Sequence, residues 1–332
     1  AGLRPGLVQR LPGLRVALCV PRDAPAESAG AATLPGALRR LLEAPELVVA
    51  AGLGDSEPNR KPVLQLLDPA GGIRGFAKVG WNDYTRAHVE TEVAALDRLT
   101  ADPPRRFGTP TLVGADRWGD LRVCVSSPLP PAVRPYPAAS GPPPLAVTRE
   151  LAGRGEPERA PLGASRYWYQ LRERLAATPP DERRRRVVEA CIRDLADRAG
   201  AVRMGFGAWH GDWSPWNMGW VGPRLYVWDW EHGAPCVPLG FDLLHFEFQV
   251  AFELRGRGLD EAVSRVAARG PGRLAHLGVA PAARRATVVL YLLELLCRSD
   301  EGMRAGVGRD ARFYPAVLDV LGELCTGRSP RS

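Results

Sequence analysis

Lysine and asparagine are scarce in this sequence. Of its 44 basic residues only two are lysines, Lys61 and Lys78, and asparagine occurs only at Asn59, Asn82 and Asn217. The formal charge of +7 is therefore carried by arginine. This bias is typical of a GC-rich coding background, so the excess charge alone does not indicate a nucleic-acid partner. In such a chain a rare residue type is expected mainly where chemistry requires it.

The sequence also lacks paired cysteines and long apolar segments. Its six cysteines include no C-x-x-C pair, and most lie in apolar runs, which favours reduced, buried thiols. There is no uninterrupted apolar core of the signal-peptide type near the first residue. The most apolar segment, residues 286–297, is too short to span a bilayer and contains Glu294. We therefore expect a soluble, cytoplasmic protein with no membrane partner.

The pattern of apolar and turn-forming segments predicts two regions after a variable lead-in at residues 1–45. Residues 46–127 contain short apolar runs separated by Gly and Pro, which predict an antiparallel sheet. One helix is predicted within them, at residues 83–99. After a proline-rich connector unable to make ladder hydrogen bonds, the rest of residues 128–332 is expected to be mainly helical. The clearest helical patterns there lie at residues 178–200, 282–298 and 313–325.

One segment, AWHGDWSPWNMGWVGPRLYVWDWEHG at residues 208–233, concentrates polar and aromatic side chains. Asp212 and Asn217 lie among turn formers, where a loop can direct both side chains to one place. Asp229 follows a strand-like run, LYVW. Two carboxylates and an amide oxygen would supply hard ligands for Mg²⁺ and leave one carboxylate as a base. Phosphoryl transfer requires these groups.

The spacing matches the kinase template H-R-D-x-x-x-x-N followed by a metal-binding Asp. His210, Asp212, Asn217 and Asp229 occupy the template positions, with Gly211 in place of arginine and Trp-Glu in place of Phe-Gly. The segment resembles the aminoglycoside phosphotransferase family, the small-molecule branch of the protein-kinase-like fold. This resemblance implies an α+β bilobal fold. The small N-lobe would contain an antiparallel sheet and one helix, and the larger C-lobe would be mainly helical.

The resemblance also implies a role for each matched residue. Asp212 would be the catalytic base, and Asn217 and Asp229 would bind Mg²⁺. His210 would brace the catalytic loop, and Asp242 in PLGFDLLHFEF looks like the family's further acidic position, which supports the same loop. The cofactors implied are Mg²⁺ and ATP, with GTP left open.

A kinase-like N-lobe needs a lysine on its third strand to hold the nucleotide phosphates and a glutamate on the next helix to pair with it. Lys78 lies in the third strand candidate, GFAKVG, and Glu92 follows on the predicted helix. Glu90 is the competing partner. We favour Glu92 because ETEVAALDRL resembles the family helix. The residues expected at the adenine-contacting hinge are Ser126, Ser127 and Leu129.

The sequence departs from the kinase template at the glycine-rich loop. The corresponding segment, GLGDSEPNRKP, has only Gly52 and Gly54, and no G-x-G-x-x-G pattern. The small-molecule branch is similar in often lacking this motif. Backbone amides could still cover the phosphates, so this part of the nucleotide site stays open.

Two other chemistries fit the central segment less well. A zinc site could use His210, Asp212, His232 or Cys236, but these spacings match no common ligand pattern. The six tryptophans are too closely clustered for a spaced platform that stacks nucleic-acid bases. We therefore expect no nucleic-acid partner and interpret most tryptophans as packing of the loop, with Trp213 and Trp216 the candidates to face substrate. His232 and His245 are interpreted as structural.

The acceptor of the phosphoryl group is the least determined point. Residues 230–332 hold 12 acidic and 13 basic residues, which gives no sign of an acidic pocket for a polycationic aminoglycoside. A hydroxyl of a metabolite or natural product is therefore the first candidate. A Ser or Thr of a precursor peptide, phosphorylated before elimination, is the alternative, since residues 128–229 hold 15 basic and 11 acidic residues and would tolerate an acidic leader. A nucleotide-binding pseudokinase is the non-enzymatic alternative, although Lys78 and both aspartates are retained.

Overall fold

The computed structural model describes residues 33–51, 59–137, 141–177, 181–306 and 312–326. The strands are β1 (Val48–Ala51), β2 (Val63–Leu67), β3 (Ile73–Gly80), β4 (Phe107–Gly108), β5 (Leu112–Trp118), β6 (Leu121–Ser126), β7 (Arg134–Pro135), β8 (Glu158–Pro161), β9 (Arg203–Trp209), β10 (Met218–Val221), β11 (Arg224–Val227) and β12 (Ala234–Pro238). The helices are α1 (Leu34–Leu41), α2 (Asp83–Ala101), α3 (Leu145–Ala152), α4 (Arg166–Ala176), α5 (Glu182–Ala199), α6 (Phe241–Gln249), α7 (Leu259–Leu277), α8 (Pro281–Arg304) and α9 (Phe313–Thr326).

The chain forms two compact units that are not contiguous in sequence. The smaller unit contains the described residues up to Pro103 together with Gly108–Val133 and Tyr226–Glu231. The larger unit contains Pro104–Phe107, Arg134–Leu225 and the described residues from His232 onward. The segment Tyr226–Glu231 therefore belongs to the smaller unit although about half of the larger unit precedes it in the chain.

The smaller unit is built on an antiparallel sheet with the strand order β1-β2-β3-β6-β5. Along β3 the side chains alternate, so Ala77 and Val79 enter a core beside Leu66 and Val125. Lys78 lies between them and faces the other side of the sheet. Alternation on β3 thus separates the apolar core from the face that carries the lysine.

Helix α2 begins at a cap made by one of the rare asparagines. The Asn82 side chain accepts a hydrogen bond from Thr85 N at 2.8 Å, and the Thr85 hydroxyl accepts from Asn82 N, which completes a capping box. The predicted helix at residues 83–99 is therefore present and extends to Ala101. This cap fixes the start of the helix that carries Glu92.

The lead-in predicted at residues 1–45 is ordered in part. Thr33 caps helix α1, its hydroxyl accepting from Gly36 N at 3.2 Å, and Leu38 of that helix joins the apolar core of the sheet. Residues 1–32 lie outside the described part of the chain. The weak sequence signal missed α1 because two turns of helix offer too few positions for a clear apolar period.

The larger unit contains seven helices, α3 to α9, in its described residues, together with a sheet of strand order β12-β9-β8. Its main core includes almost the whole length of α8, whose residues 286–293 are all buried. The helices predicted at residues 178–200, 282–298 and 313–325 correspond to α5, α8 and α9, with boundaries shifted by a few residues. Within the described residues, no helix is both long and apolar enough to cross a membrane.

The proline-rich connector makes one short ladder that the sequence did not predict. Strand β7 pairs with β10, with Pro135 opposite Gly219 and Arg134 opposite Trp220. The ladder continues at Tyr136, whose N–H donates to Met218 O at 3.2 Å. Proline is tolerated because β7 lies at an edge, where its missing N–H leaves no partner unpaired.

Candidate functional site

The smaller unit gathers three carboxylates around the ammonium group of Lys78. Lys78 Nζ lies 2.6 Å from Glu92 Oε2, 2.6 Å from Asp229 Oδ1 and 2.9 Å from Glu231 Oε2. Glu90, the competing candidate, instead pairs with Arg122. The strand lysine, the helix glutamate and the aspartate after LYVW therefore meet at one point of the smaller unit.

The electrostatics of this cluster are dominated by the excess of carboxylates. Burial alone would lower the pKa of Lys78, but Asp229, Glu231 and Glu92 together raise it well above its usual value. Burial raises the pKa of Asp229, and Glu231 adds to this against the opposing effect of Lys78. Lys78 is thus held as a cation, and the carboxylates around it are poised to accept a further positive charge.

The backbone at Asp229 is unusual for a residue that is not glycine. Its φ is +67°, in the left-handed region where a side chain is sterically disfavoured. The turn that follows β11 aims Asp229 and Glu231 at the same lysine. This turn lets Asp229 and Glu231, only two residues apart, both contact the ammonium group of Lys78.

Oxygen ligands suited to a divalent cation are present in the smaller unit. The carboxylate oxygens of Glu92, Asp229 and Glu231 lie within 4.8 Å of one another. A cavity of about 260 Å³ opens beside them, lined in part by Lys61 and Lys78. Clustered carboxylates match the ligand preference of Mg²⁺. No group of potential metal ligands in the described residues combines two of the four zinc candidates His210, Asp212, His232 and Cys236.

The three predicted hinge residues lie at and just after the end of β6. Ser126 is the last residue of that strand and pairs with Phe76 on β3. The Ser127 N–H donates to Thr111 O at 2.9 Å, and its hydroxyl accepts from Thr111 N at 2.9 Å. Leu129 is partly buried and outside any regular element. Ser127 is thus hydrogen-bonded to Thr111 through both its backbone and its side chain. Gly52 and Gly54, which mark the segment in place of the glycine-rich loop, lie outside the described residues.

In the larger unit, Asp212 is held by side chains on both of its carboxylate oxygens. Oδ1 accepts from Ser214 Oγ at 2.5 Å and lies 3.2 Å from His245 Nε2, and Oδ2 accepts from Asn217 Nδ2 at 2.7 Å. Burial by itself raises the pKa of Asp212, but the hydrogen bond and charge of His245 and the Ser214 hydroxyl hold it well below its usual value. Asp212 is therefore an oriented, ionised carboxylate.

His245 was interpreted from sequence as structural, yet it contacts Asp212 directly. Because an ionised carboxylate only accepts hydrogen bonds, His245 Nε2 carries the proton in this pair. Its Nδ1 lies 3.0 Å from Tyr291 Oη. The sequence offered no signal for this contact, since His245 lies on α6 and Tyr291 on α8.

His210 and Asp242 fix the backbone that precedes Asp212. The Asp242 carboxylate accepts from His210 N at 3.1 Å and from Gly211 N at 3.2 Å. His210 is fully buried, and its Nδ1 accepts from Asp212 N at 3.2 Å, which identifies the neutral ring. Burial raises the pKa of Asp242 to about 7, against the lowering effect of the two backbone donors. The loop is thus built on hydrogen bonds to a buried carboxyl group.

Arg298, on helix α8, supports this loop, a role that the sequence did not predict. Its guanidinium donates to Gly211 O at 2.6 Å and to His232 O at 3.1 Å, and lies 4.2 Å from the ring centroid of Trp209. Gly211 has φ +84°, and a Cβ there would overlap the His232 carbonyl. The glycine in place of the template arginine is therefore required by close backbone approach.

The tryptophans divide into buried and exposed groups. Trp209, Trp213 and Trp230 are buried, whereas Trp216 is 38% exposed. The prediction that Trp213 faces substrate is wrong, because its side chain is fully enclosed and packs edge-on against His210. The interpretation of Trp216 as a substrate-facing residue stays a prediction.

The structure is similar to solved structures of antibiotic phosphotransferases. One is a thermostable variant of aminoglycoside phosphotransferase APH(4)-Ia in complex with ADP and hygromycin B, with 12% identity over 88% of this chain and 98% of that chain and a TM-score of 0.52. Another is the GDP complex of aminoglycoside 2'-phosphotransferase-IIIa, with 14% identity, 84% and 93% coverage and a TM-score of 0.47. A third is spectinomycin phosphotransferase APH(9)-Ia with ADP and spectinomycin, with 9% identity, 84% and 92% coverage and a TM-score of 0.39.

No protein-family model and no curated protein matches the sequence. At 12% identity, the similarity to aminoglycoside phosphotransferase APH(4)-Ia shows the fold. The chain has the α+β, protein-kinase-like fold of the aminoglycoside phosphotransferases, with a smaller unit built on an antiparallel sheet and a larger, mainly helical unit. The fold class predicted from the H-G-D loop and Lys78 is thereby confirmed.

Proposed function

We propose that the protein is an ATP- and Mg²⁺-dependent phosphotransferase that moves the γ-phosphoryl group to a hydroxyl of a small molecule. The observation that carries this proposal is the meeting of Lys78 with Glu92 and Asp229, each at 2.6 Å. These residues lie on a strand, a helix and a distant segment, as phosphoryl transfer on a kinase-like fold requires.

In this proposal the smaller unit holds the nucleotide phosphates. Lys78 donates to phosphate oxygens, and Glu92 fixes the position of its ammonium group. Asp229 supplies a carboxylate to Mg²⁺, which would neutralise charge on the phosphates when bound. The raised pKa of Asp229 fits this role, because burial first and then the charges of Glu231 and Glu92 disfavour its ionised form, and a bound metal ion would offset these effects.

Asn217 would be the second ligand of the metal ion. Its Nδ2 donates to Asp212 O at 3.1 Å and to Asp212 Oδ2 at 2.7 Å. These two bonds fix the amide orientation, so that the carbonyl oxygen of Asn217 is the atom turned away from Asp212. An amide oxygen is a ligand suited to Mg²⁺.

Asp212 would receive the hydrogen bond of the acceptor hydroxyl. Its low pKa makes it a weak base, but phosphoryl transfer through a loose transition state needs an oriented acceptor more than a strong base. Ser214, His245 and Asn217 set the carboxylate plane. His210, Asp242 and Arg298 hold the loop that carries it, without contacting substrate.

A small molecule is favoured over a peptide as acceptor. Aminoglycoside phosphotransferase APH(4)-Ia, whose fold this chain shares, was solved with the small molecule hygromycin B. Antibiotic resistance itself does not follow, because residues 230–332 show no excess of acidic residues to attract a polycationic substrate. A metabolite or natural-product hydroxyl is the acceptor class we propose.

The test is transfer of γ-labelled phosphate by the full chain, with and without Mg²⁺. One panel should contain hydroxylated small molecules, including aminoglycosides, and the other Ser- and Thr-rich peptides. The proposal expects Mg²⁺-dependent label on a compound of the first panel. Label on peptides alone would establish the precursor-peptide alternative. Binding of Mg²⁺-ATP with neither transfer nor slow ATP hydrolysis would establish the pseudokinase alternative.

A further inference from the structure

Both lysines of the chain contact the same glutamate. Lys61 Nζ lies 3.1 Å from Glu231 Oε1, and Lys78 Nζ lies 2.9 Å from Glu231 Oε2. The three side chains are 12–16% exposed, so the carboxylate is held between two largely buried ammonium groups. No other residue of this sequence can supply an ammonium side chain to the site.

The sheet explains why the two lysines lie side by side. Val63 on β2 is directly opposite Lys78 on β3, and the ladder extends one step further because Val79 N donates to Pro62 O at 3.0 Å. Residues two apart on a strand point to the same face. Lys61 therefore shares the face of Lys78 and lines the same cavity of about 260 Å³.

The charge of the site shows what Lys61 contributes. Lys78 alone faces the carboxylates of Glu92, Asp229 and Glu231, which leaves a formal excess of two negative charges. Lys61 reduces this excess to one. A nucleotide phosphate chain is itself strongly negative, so each cation in the cavity lowers the repulsion that the chain meets on entry.

That residue 61 is a lysine and not an arginine favours a ligand-binding role over a purely structural ion pair. Buried ion pairs elsewhere in the described residues use arginine, as in Arg184–Asp300 and Arg265–Glu247. Arginine makes the more rigid pair with a carboxylate, whereas lysine presents a compact charge on a flexible stem. A chain that uses arginine almost everywhere has kept lysine at residue 61, which places a compact, movable charge in the cavity beside Lys78.

We propose that Lys61 is a second phosphate-binding lysine, which contacts the phosphate chain of a nucleoside triphosphate beyond the phosphates held by Lys78. Glu231 holds the two ammonium groups on separate carboxylate oxygens, so each lysine would contact a different phosphate of the nucleotide. This inference rests on the proposed function, since it assumes that the Lys78 cavity binds a nucleotide.

The first experiment is calorimetric titration of full-length Lys61→Met with Mg²⁺-ATP, Mg²⁺-ADP and adenosine. Loss of one charge-assisted contact should weaken ATP binding about tenfold to a hundredfold, weaken ADP less and leave adenosine unchanged. Lys61→Arg should recover part of the loss. The matched control is Arg74→Met, which removes a positive charge from an exposed position of β3 and should leave all three affinities unchanged.

The two proposals fail in different ways in this titration. Wild-type protein that binds ATP no better than Lys61→Met overturns the role of Lys61 and leaves the phosphotransferase proposal standing. An equal loss for adenosine and ATP also overturns it, because a damaged fold rather than a lost phosphate contact would explain that result. Wild-type protein that binds no nucleotide defeats the proposed function and this inference together.

A second experiment needs no variant, because the chain has only two lysines. Acetylation by an amine-reactive ester, mapped by peptide mass spectrometry, reports Lys61 and Lys78 separately in the folded wild type. Mg²⁺-ATP should slow the labelling of both lysines, and adenosine should slow neither. Protection of Lys78 alone would overturn the role of Lys61. Protection of neither would contradict the proposed function.

Discussion

The two units position their candidate residues by different physical means. In the smaller unit, Lys78 is surrounded by carboxylates that outnumber the cations, and ion pairs hold the cluster together. In the larger unit, Asp212 is held by neutral or singly charged hydrogen-bond donors. The first arrangement is incomplete without added positive charge, whereas the second is already satisfied. A charge-dense site is therefore expected to respond to ligand and metal, and a hydrogen-bonded loop to stay fixed.

The largest effects are expected from Asp212→Asn and Lys78→Met, which test the two units separately. Asp212→Asn should lower kcat about 10²- to 10⁴-fold and leave ATP affinity unchanged, because the acceptor hydroxyl loses its carboxylate partner. Lys78→Met should instead weaken ATP binding about tenfold to a hundredfold, because the phosphates lose a cation. Steady-state kinetics and calorimetry measure the two effects. Undiminished turnover in Asp212→Asn would refute its assignment as the base.

A finer test lies on helix α2. Glu92→Gln should lower kcat/KM about tenfold, because Lys78 loses the partner that fixes it and is drawn towards Asp229 and Glu231. Glu90→Gln, two residues earlier, is the control and should change kcat/KM by less than about twofold, since its pair with Arg122 is on the surface. Equal losses in both variants would show that helix stability, not the contact with Lys78, is responsible.

The rigidity of the loop in the larger unit depends on Arg298. Arg298→Met should reduce the free energy of unfolding by about 1–3 kcal/mol, because the partly buried carbonyls of Gly211 and His232 lose their donor. Arg304→Met, on the exposed end of the same helix, should change it by no more than about 0.5 kcal/mol. Chemical denaturation measures both. Equal free energies of unfolding for Arg298→Met and Arg304→Met would mean that Arg298 does not stabilise the loop.

The last prediction is a pH dependence of the free energy of unfolding that arises from Asp242. Its pKa is raised from 3.8 to about 7, so the folded state binds the proton more tightly than the unfolded chain does. Asp242 therefore contributes stability that is present at low pH and is lost as pH rises from about 4 through about 7. Asp242→Asn should lack this component. Because Asn resembles the neutral carboxyl group, the stabilities of the two proteins, measured by denaturation curves, should agree best near pH 4 and separate as pH rises through about 7, with the wild type becoming the less stable.

Part of the candidate site could be predicted because its residues lie at fixed spacing in one loop or are rare in the chain. His210, Asp212 and Asn217 form a compact motif, and Lys78 stands out as one of two lysines. Asn82 is similarly rare, but its role as a helix cap emerged only with α2. Lys61 is equally rare, but it lies in no recognisable motif, so the sequence predicted no function for it.

The remaining residues could not be predicted because they join the site across long separations. His245 reaches Asp212 from α6, Arg298 reaches Gly211 from α8, and neither lies in a motif. The burial of Trp213 depended on how the loop packs and contradicted the expectation that it faces substrate. Such contacts depend on side-chain packing, which local sequence patterns do not encode.

Strand alternation and helix periodicity are local patterns, so they predicted a sheet region followed by a helical region, and the fold class followed from the resemblance carried by the H-G-D loop and Lys78. Which of these chemical groups lie in contact became visible in the folded structure. It paired Lys78 with Glu92 rather than Glu90, and it brought Lys61 to the same Glu231 carboxylate. The physical reason is that an ion pair forms where folding brings charges within a few ångströms, and that proximity is set by the register of β2 against β3 and by the turn at Asp229.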